Sequence, residues 1–124
     1  MAFITRVHYL VKNEKKGSKM TNLKNISMIK EANIYYDGKV ASRAIILADG
    51  TKQTLGVMQP GEYTFETNEA EIMEMMSGEL EIRLPGETEF KTLNTPETFN
   101  VPANSSFDLK IKTVTDYCCS YIEA

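Results

Sequence analysis

Turn-forming residues divide this chain into short runs, and this division restricts the possible folds more than any other feature of the sequence. Asp-Gly, Pro-Gly and Ser-Gly pairs and single prolines recur at short intervals. Runs this short are typical of strands, and their regular spacing is the pattern of an all-β sandwich or barrel. The turn signals are Asp37-Gly38, Asp49-Gly50, Pro60-Gly61, Ser77-Gly78, Pro85-Gly86, Pro96 and Pro102.

Several runs alternate between apolar and polar residues, which predicts half-buried strands. In SFDLKIK, the residues Phe107, Leu109 and Ile111 share one face. The run IMEMMSG is apolar on both faces, which suggests a strand covered on both sides, for example by a second subunit. A helical turn fits only near residues 68–70. We predict about ten strands, near residues 26–29, 33–36, 39–47, 53–58, 62–67, 72–77, 79–84, 90–93, 98–101 and 107–122, the last broken at Thr115-Asp116.

The charge is unevenly spread along the 124 residues. Residues 1–19 carry five basic side chains and one acidic one, a net charge of +4. Because the whole chain has a net charge of −3, residues 20–124 carry −7. An acidic main body argues against nucleic acid or an anionic membrane as the partner. No window approaches the ~20 apolar residues of a membrane span. We therefore expect no nucleic-acid and no membrane partner.

The basic segment, residues 1–22, is expected to be disordered and dispensable, because its run KNEKKGSK at 12–19 lacks the apolar residues needed to offset its own ordering entropy. The alternatives are a nucleic-acid arm or leader residues before an internal start at Met20. Residues 23–124 are then the single folded domain. The two cysteines, Cys118 and Cys119, are adjacent and do not form a disulfide framework, so we expect a cytoplasmic protein.

The familiar catalytic motifs are absent from the sequence. It has no phosphate-binding glycine loop, no nucleophile elbow, no CxxC and no HExxH. The only histidine, His8, lies in the basic segment. This excludes a Ser-His-Asp triad and a multi-histidine metal site in the folded domain.

Three stretches carry a family resemblance: GVMQPGEYTFET at 56–67, EIMEMMSGEL at 71–80 and FNVPANSSFDL at 99–109. Together with YYDGKVAS at 35–42, they resemble the small cupin family of pyrimidine/purine nucleoside phosphorylases over roughly residues 26–122. The resemblance implies a single cupin-type jelly-roll barrel.

Metal-binding cupins carry histidines that this chain lacks. Glu71 occupies the place of the first cupin motif's glutamate, but the histidine places fall at Phe65, Thr67 and Phe107. Pro102 matches the proline of the second motif. A single carboxylate does not hold a transition metal. We therefore expect no metal and no other cofactor.

The resemblance implies an enzyme that splits purine and pyrimidine nucleosides with inorganic phosphate into a free base and a pentose 1-phosphate, acting as a homodimer. Phosphate attack at the anomeric carbon passes through an oxocarbenium-like state. The site therefore needs an anion holder, a group that stabilises positive charge on the sugar, and donors for the leaving base. A non-catalytic cupin that binds a small sugar or nucleotide is the main alternative, and a structural dimer is the third, because fold alone does not separate them.

Two arginines are the candidate phosphate ligands. Arg43 and Arg83 are the only arginines outside the basic segment, and guanidinium binds phosphate bidentately. Arg43 is preferred as the catalytic one because its neighbours are uncharged, and Lys39 is a reserve cation. The alternative is that both arginines are solvated residues on strand faces.

Glu71 is the second candidate catalytic residue. If its side chain faces the barrel interior, it can hold ribose hydroxyls or stabilise a cationic sugar. The alternative is that it is an exposed acidic residue in a loop. Tyr63 and Phe65 share a strand face with Thr67. All three are candidate substrate-binding residues, because aromatic faces stack on any base. The alternative is that the aromatics belong to the core.

Asn100 and Ser105 are the remaining substrate-binding candidates. Asn100 offers an amide to the pocket or else bonds the backbone of its own turn. Ser105 offers a hydroxyl to phosphate or else is a solvated loop residue. The two cysteines have no histidine near them in sequence and are expected to be ordinary strand residues.

Overall fold

The structure is a computed structural model that describes residues 20–123. Within these residues the chain forms eleven strands and one short 3-10 helix, Tyr36–Gly38. The strands are β1 (Ser27–Met28), β2 (Asn33–Tyr35), β3 (Val40–Ile46), β4 (Lys52–Met58), β5 (Gly61–Glu66), β6 (Ala70–Ser77), β7 (Glu79–Arg83), β8 (Lys91–Asn94), β9 (Glu97–Val101), β10 (Ser106–Ile111) and β11 (Thr115–Ile122).

The strands form two sheets. One has seven strands in the order β1-β3-β4-β11-β6-β9, with β2 paired to β3, and the other has four in the order β5-β10-β7-β8. The strand pairs of both sheets are antiparallel. Strands far apart in sequence, such as β4 and β11, lie side by side. The prediction of an all-β fold is confirmed.

Two local predictions differ from the structure. The helical turn lies at Tyr36–Gly38 and not at residues 68–70, because Tyr36 and Asp37 adopt positive φ angles of 52° and 55° just before a glycine. The break in the last run lies at residues 112–114 and not at Thr115-Asp116. The reason is topological: the chain leaves the four-stranded sheet after Ile111 and enters the seven-stranded sheet at Thr115.

The core lies between the sheets and follows the alternation in the sequence. Phe107, Leu109 and Ile111 are buried, while Asp108 and Lys110 between them are partly exposed. The opposite sheet contributes Met73, Met75 and other residues that alternate in the same way. Fully burying a side chain of this kind contributes about 1.5–3 kcal/mol, so these alternate positions hold the two sheets together.

Residues 1–19 of the basic segment, which we expect to be disordered, lie outside the described residues. Both cysteines are buried and unpaired, as expected from their adjacency. No helix between residues 20 and 123 has the length and apolar character needed to cross a membrane.

Candidate active site

A cavity of about 380 Å³ lies between the two sheets. This volume is near the lower end of the range of about 300–1,000 Å³ found for small-molecule sites. Strands of both sheets supply its wall, so the cavity exists only because the sheets face each other. The lining residues are Tyr35, Tyr36, Ser42, Thr54, Met58, Thr64, Phe65, Glu66, Glu71, Met73, Phe107, Tyr117, Cys119 and Tyr121.

Aromatic rings form one part of this wall. The Tyr36 ring packs edge-to-face on Phe65, with centroids 5.9 Å apart, and Phe65 lies 5.8 Å from Phe107. Tyr63 packs against Tyr36 at 4.9 Å but is buried, and its hydroxyl donates to the carbonyl of Gln59 at 2.6 Å. Tyr36 and Phe65 therefore belong to the cavity wall, and the buried Tyr63 packs against both of them.

Tyr36 links the two sheets at this wall. Its hydroxyl donates to the carbonyl oxygen of Thr64 at 2.5 Å and accepts from the Thr64 amide at 3.1 Å. The left-handed conformation of Tyr36 and Asp37 costs energy for side chains of this size. The two bonds to Thr64 and the ring contacts hold Tyr36 in this conformation. Sequence reasoning missed Tyr36 as a site residue; the only signal was its position beside the Asp37-Gly38 turn.

A carboxyl group and hydroxyls from the seven-stranded sheet form another part of the wall. Glu71 in β6 lies directly across from Tyr121 in β11, and Cys119 lies two residues before Tyr121 on the same face. The Tyr121 hydroxyl and the Thr54 hydroxyl share a hydrogen bond of 3.4 Å. The cavity wall therefore combines aromatic rings with carboxyl and hydroxyl groups.

Burial controls the ionisation of this polar row. Burial raises the pKa of Glu71, a hydrogen bond from Cys119 opposes the rise, and the nearby charge of Glu69 adds to it. Burial also raises the pKa of Cys119 and of Tyr121. Near neutral pH the thiol and the hydroxyls are thus protonated hydrogen-bonding groups. A protonated Cys119 is a poor nucleophile.

Tyr117 occupies its place in the cavity wall because residue 56 is a glycine. A Cβ at Gly56 would lie 2.8 Å from Cε1 of Tyr117 and 2.5 Å from the carbonyl oxygen of Ala41. Burial, partly opposed by a hydrogen bond with Ser42, raises the pKa of Tyr117 to about 12. The close approach of Ala41 and Tyr117 is therefore the physical reason for a glycine at residue 56, the first residue of the GVMQPGEYTF stretch.

Two of the predicted site residues, Phe65 and Glu71, line the cavity. Thr67 and Ser105 instead join two loops next to it. The Thr67 hydroxyl donates to the carbonyl of Pro102 at 2.7 Å and accepts from the Ser105 amide at 3.1 Å, and the Ser105 hydroxyl also donates to Pro102 at 2.7 Å. Tyr63 and Phe65 lie on one face of β5, but that strand ends at Glu66, so Thr67 follows it; Tyr63 and Thr67 are buried.

The structure does not bring Arg43, Arg83 or Asn100 to the cavity. Arg43 is exposed, and its Nε donates to the carbonyl of Lys30 at 3.1 Å. Arg83 pairs with Asp108, with 2.9 Å between Nη2 and Oδ2, and its guanidinium stacks on Phe90. Asn100 is exposed and lines a separate groove beside β6 and β9.

Among residues 20–123 no cluster of three or more His, Cys, Asp or Glu side chains is arranged to hold a metal ion.

Solved structures share this architecture. A protein of unknown function from Acinetobacter sp. ADP1 superposes with a TM-score of 0.78 at 36% identity, over 82% of this chain and 98% of that chain. An RmlC-like cupin from Shewanella frigidimarina superposes with a TM-score of 0.61 at 16% identity, over 76% of this chain and 84% of that one. At that identity the likeness concerns the fold alone, and it confirms the cupin prediction.

Sequence comparison gives the family. The family model described as pyrimidine/purine nucleoside phosphorylase matches residues 30–121. Proteins of that name from Sulfurimonas denitrificans and Hydrogenovibrio crunogenus are 72% and 56% identical over 104 residues, covering 84% of this chain and the whole of each relative. The protein of that name from Clostridioides difficile is 57% identical over 103 residues, 83% of this chain and 98% of the relative. The chain therefore belongs to the pyrimidine/purine nucleoside phosphorylase family.

Proposed function

We propose that this protein is a broad-specificity nucleoside phosphorylase that converts purine and pyrimidine nucleosides and inorganic phosphate into free bases and pentose 1-phosphates. The observation that carries the proposal is the cavity between the sheets, whose wall combines the rings of Tyr36 and Phe65 with the half-buried carboxyl group of Glu71 in a chain of this family. A nucleoside presents both kinds of surface, since a flat base is joined to a hydroxyl-rich sugar.

The aromatic wall is the binding surface for the base. Tyr36 and Phe65 offer ring faces and edges to the cavity. Stacking does not depend on the identity of the base, because every base has a π-face. This explains how one small cavity accepts both purines and pyrimidines.

Glu71 and its neighbours serve the sugar. In the reaction an oxygen of hydrogen phosphate bonds to the anomeric carbon, and the carbon–nitrogen bond breaks with its electron pair on the base. The base takes up the proton that the hydrogen phosphate gives up. Positive charge develops on the sugar in the transition state. A carboxylate fixed in a partly desolvated wall stabilises that charge more than water would. The same carboxylate accepts hydrogen bonds from sugar hydroxyls.

The reaction uses phosphate as its only co-substrate and, by this proposal, requires no metal. The support is that residues 20–124 contain no histidine and that Glu71 is the sole ligand-type residue at the cupin metal positions. Activity should survive exhaustive chelation. Activity that returns only with an added transition metal would contradict this part of the proposal.

The protein acts as a homodimer in the cytoplasm, by the same proposal. An apolar row of Ile34, Ala41 and Val57 crosses β2, β3 and β4 in register. Ile34 is 59% and Val57 43% exposed in the single chain. A second copy would cover this row. Sedimentation analysis of the purified protein measures the oligomeric state, and a monomer at micromolar concentration would contradict it.

The decisive experiment follows the free base. Purified protein is incubated with uridine or with adenosine, with and without phosphate, and both base and pentose 1-phosphate are quantified. Release of both products only with phosphate supports the proposal. Equal release of base without phosphate identifies a hydrolase, and absence of release under both conditions favours a non-catalytic binding protein.

A further inference from the structure

The phosphate co-substrate needs a cation that the cavity wall lacks. Among the described residues that line the cavity, the charged ones are Glu66 and Glu71, and both are acidic. Residues 20–124 as a whole carry a net charge of −7. Both the local and the long-range field therefore oppose capture of an anion, and a nearby cation has to offset them.

Most basic side chains of the described chain are placed elsewhere. Arg83 pairs with Asp108 at 2.9 Å, and Lys112 pairs with Glu81 at 2.9 Å. Arg43 points outward to the carbonyl of Lys30, and Lys110 lies over the ring of Phe90. Lys91 pairs with Glu87, and three further lysines lie outside the strands, namely Lys24, Lys30 and Lys39.

Lys52 begins β4 on the cavity side of the sheet. Side chains along a strand alternate between faces, so Lys52 shares its face with Thr54 and Met58. Both of these residues line the cavity. Lys52 is exposed, and between residues 20 and 123 it forms no ion pair.

The sheet register places Lys52 in line with the candidate catalytic carboxyl group. Lys52 lies directly across from Tyr121, and Tyr121 lies directly across from Glu71. Neighbouring strands are about 4.7–4.9 Å apart, so the backbones of Lys52 and Glu71 are separated by about 10 Å. That gap, with the backbone of Tyr121 in its middle, is wide enough for an anion between the two side chains. The Tyr121 hydroxyl lies near it, bonded to the Thr54 hydroxyl on the same face of β4.

We propose that Lys52 is the cation that binds phosphate at this end of the cavity, with the Tyr121 hydroxyl as a second donor. This inference rests on the proposed phosphorylase function and names the phosphate ligand that function requires. An ammonium group on a flexible four-carbon stem offers three donors and acts as a point charge toward phosphate. It also offsets the repulsion between phosphate and the Glu71 carboxylate, both of which act on the same sugar in the proposed reaction.

The test compares three variants with the wild type: Lys52→Met, Lys52→Arg and Lys91→Met. Lys91→Met is the matched control, because Lys91 is also an exposed lysine at the first position of a strand but belongs to the other sheet. The phosphate KM is measured at saturating uridine, and the uridine KM at saturating phosphate. A charge-assisted hydrogen bond is worth about 1.5–3 kcal/mol, so Lys52→Met should raise the phosphate KM about 10- to 100-fold.

The expected pattern is specific to phosphate. Lys52→Met should leave the uridine KM within about twofold, Lys52→Arg should restore most of the phosphate affinity, and Lys91→Met should match the wild type. An unchanged phosphate KM in Lys52→Met would overturn the inference. So would an equal rise in both KM values, because that result indicates a general disturbance of the cavity.

A binding measurement separates this inference from the proposed function. Inorganic phosphate is titrated calorimetrically into the wild type and Lys52→Met without nucleoside. If the wild type releases no base but binds phosphate more tightly than Lys52→Met, the phosphate site stands and the phosphorylase proposal falls. If the two proteins bind phosphate equally, or neither binds it, the inference about Lys52 is wrong whatever the activity.

Discussion

At the scale of the residue, the burial of Glu71 carries a cost to stability, and its proposed role in catalysis would explain why the residue is kept. Burial raises its pKa, so the folded protein holds the Glu71 proton more tightly than the unfolded chain does. For a carboxyl group with a raised pKa, stability is full below the unfolded pKa and falls as the pH rises through the folded pKa. Keeping an ionised carboxylate here near neutral pH therefore opposes folding, which is typical of residues kept for function.

We predict that Glu71→Gln lowers kcat about 10²- to 10³-fold, the effect of removing one preorganised electrostatic group, while the melting temperature at neutral pH stays equal or rises. In the wild type, activity should fall as the pH is lowered through the raised pKa of Glu71, and this acidic limb should be absent in the variant. Rate–pH profiles and thermal melts measure both effects. The control is Glu74→Gln, since Glu74 lies on the same strand but is exposed. Full activity in Glu71→Gln would remove Glu71 from the mechanism.

At the scale of the element, the pairing of β4 with β3 and β11 depends on a close backbone approach at Gly56. We predict that Gly56→Ala pushes the Tyr117 ring toward the cavity, because a Cβ at residue 56 has contacts of 2.5–2.8 Å with Ala41, Ser42 and Tyr117. Overpacking of this kind costs about 1–3 kcal/mol. The nucleoside KM should rise together with the loss of stability.

Gly78→Ala serves as the comparison for Gly56→Ala. Gly78 has a φ of 115°, and a Cβ there would contact the Thr115 backbone at 2.9 Å, but it does not line the cavity. This variant should lose stability by a similar amount and keep the nucleoside KM of the wild type. Denaturant titrations and steady-state kinetics distinguish the two glycines. Equal nucleoside KM values in both variants would show that Gly56 does not shape the cavity.

At the scale of the whole molecule, we expect the basic segment and the acidic domain to be separable. The relatives from Sulfurimonas and Hydrogenovibrio align over their whole length with only 104 residues of this chain. We predict that a chain beginning at Met20 keeps both its melting temperature and its kcat/KM, because the run KNEKKGSK at residues 12–19, which precedes the domain, has no apolar residue to pack against it. Calorimetry and kinetics of the two chains provide the test. A decrease of several degrees in the truncated chain would show that the segment packs on the barrel.

Local sequence determined the strands of this protein and two of the residues that line its cavity. Turn chemistry and period-2 alternation are local properties, so the β-rich fold, the buried face of β10 and most strand bounds follow from them. Glu71 was proposed from its place in the cupin motif, and Phe65 was proposed as an aromatic residue on a strand face; both line the cavity. The alternation did not identify the inner face of β3, however, because both faces carry small or apolar residues, and Arg43 was therefore assigned to the site.

Only the tertiary structure decided which residues meet. The row Lys52–Tyr121–Glu71 joins three strands that are distant in sequence, and its register depends on long-range pairing, which local periodicity does not encode. Tyr36 reaches the cavity because its backbone is left-handed and its hydroxyl bonds to Thr64, 28 residues away. Arg83 is held on the outer face by Asp108 of the neighbouring strand. Periodicity shows which side chains share a face of one strand, whereas a site is formed by faces of several strands, and their pairing is set by the packing of the whole barrel.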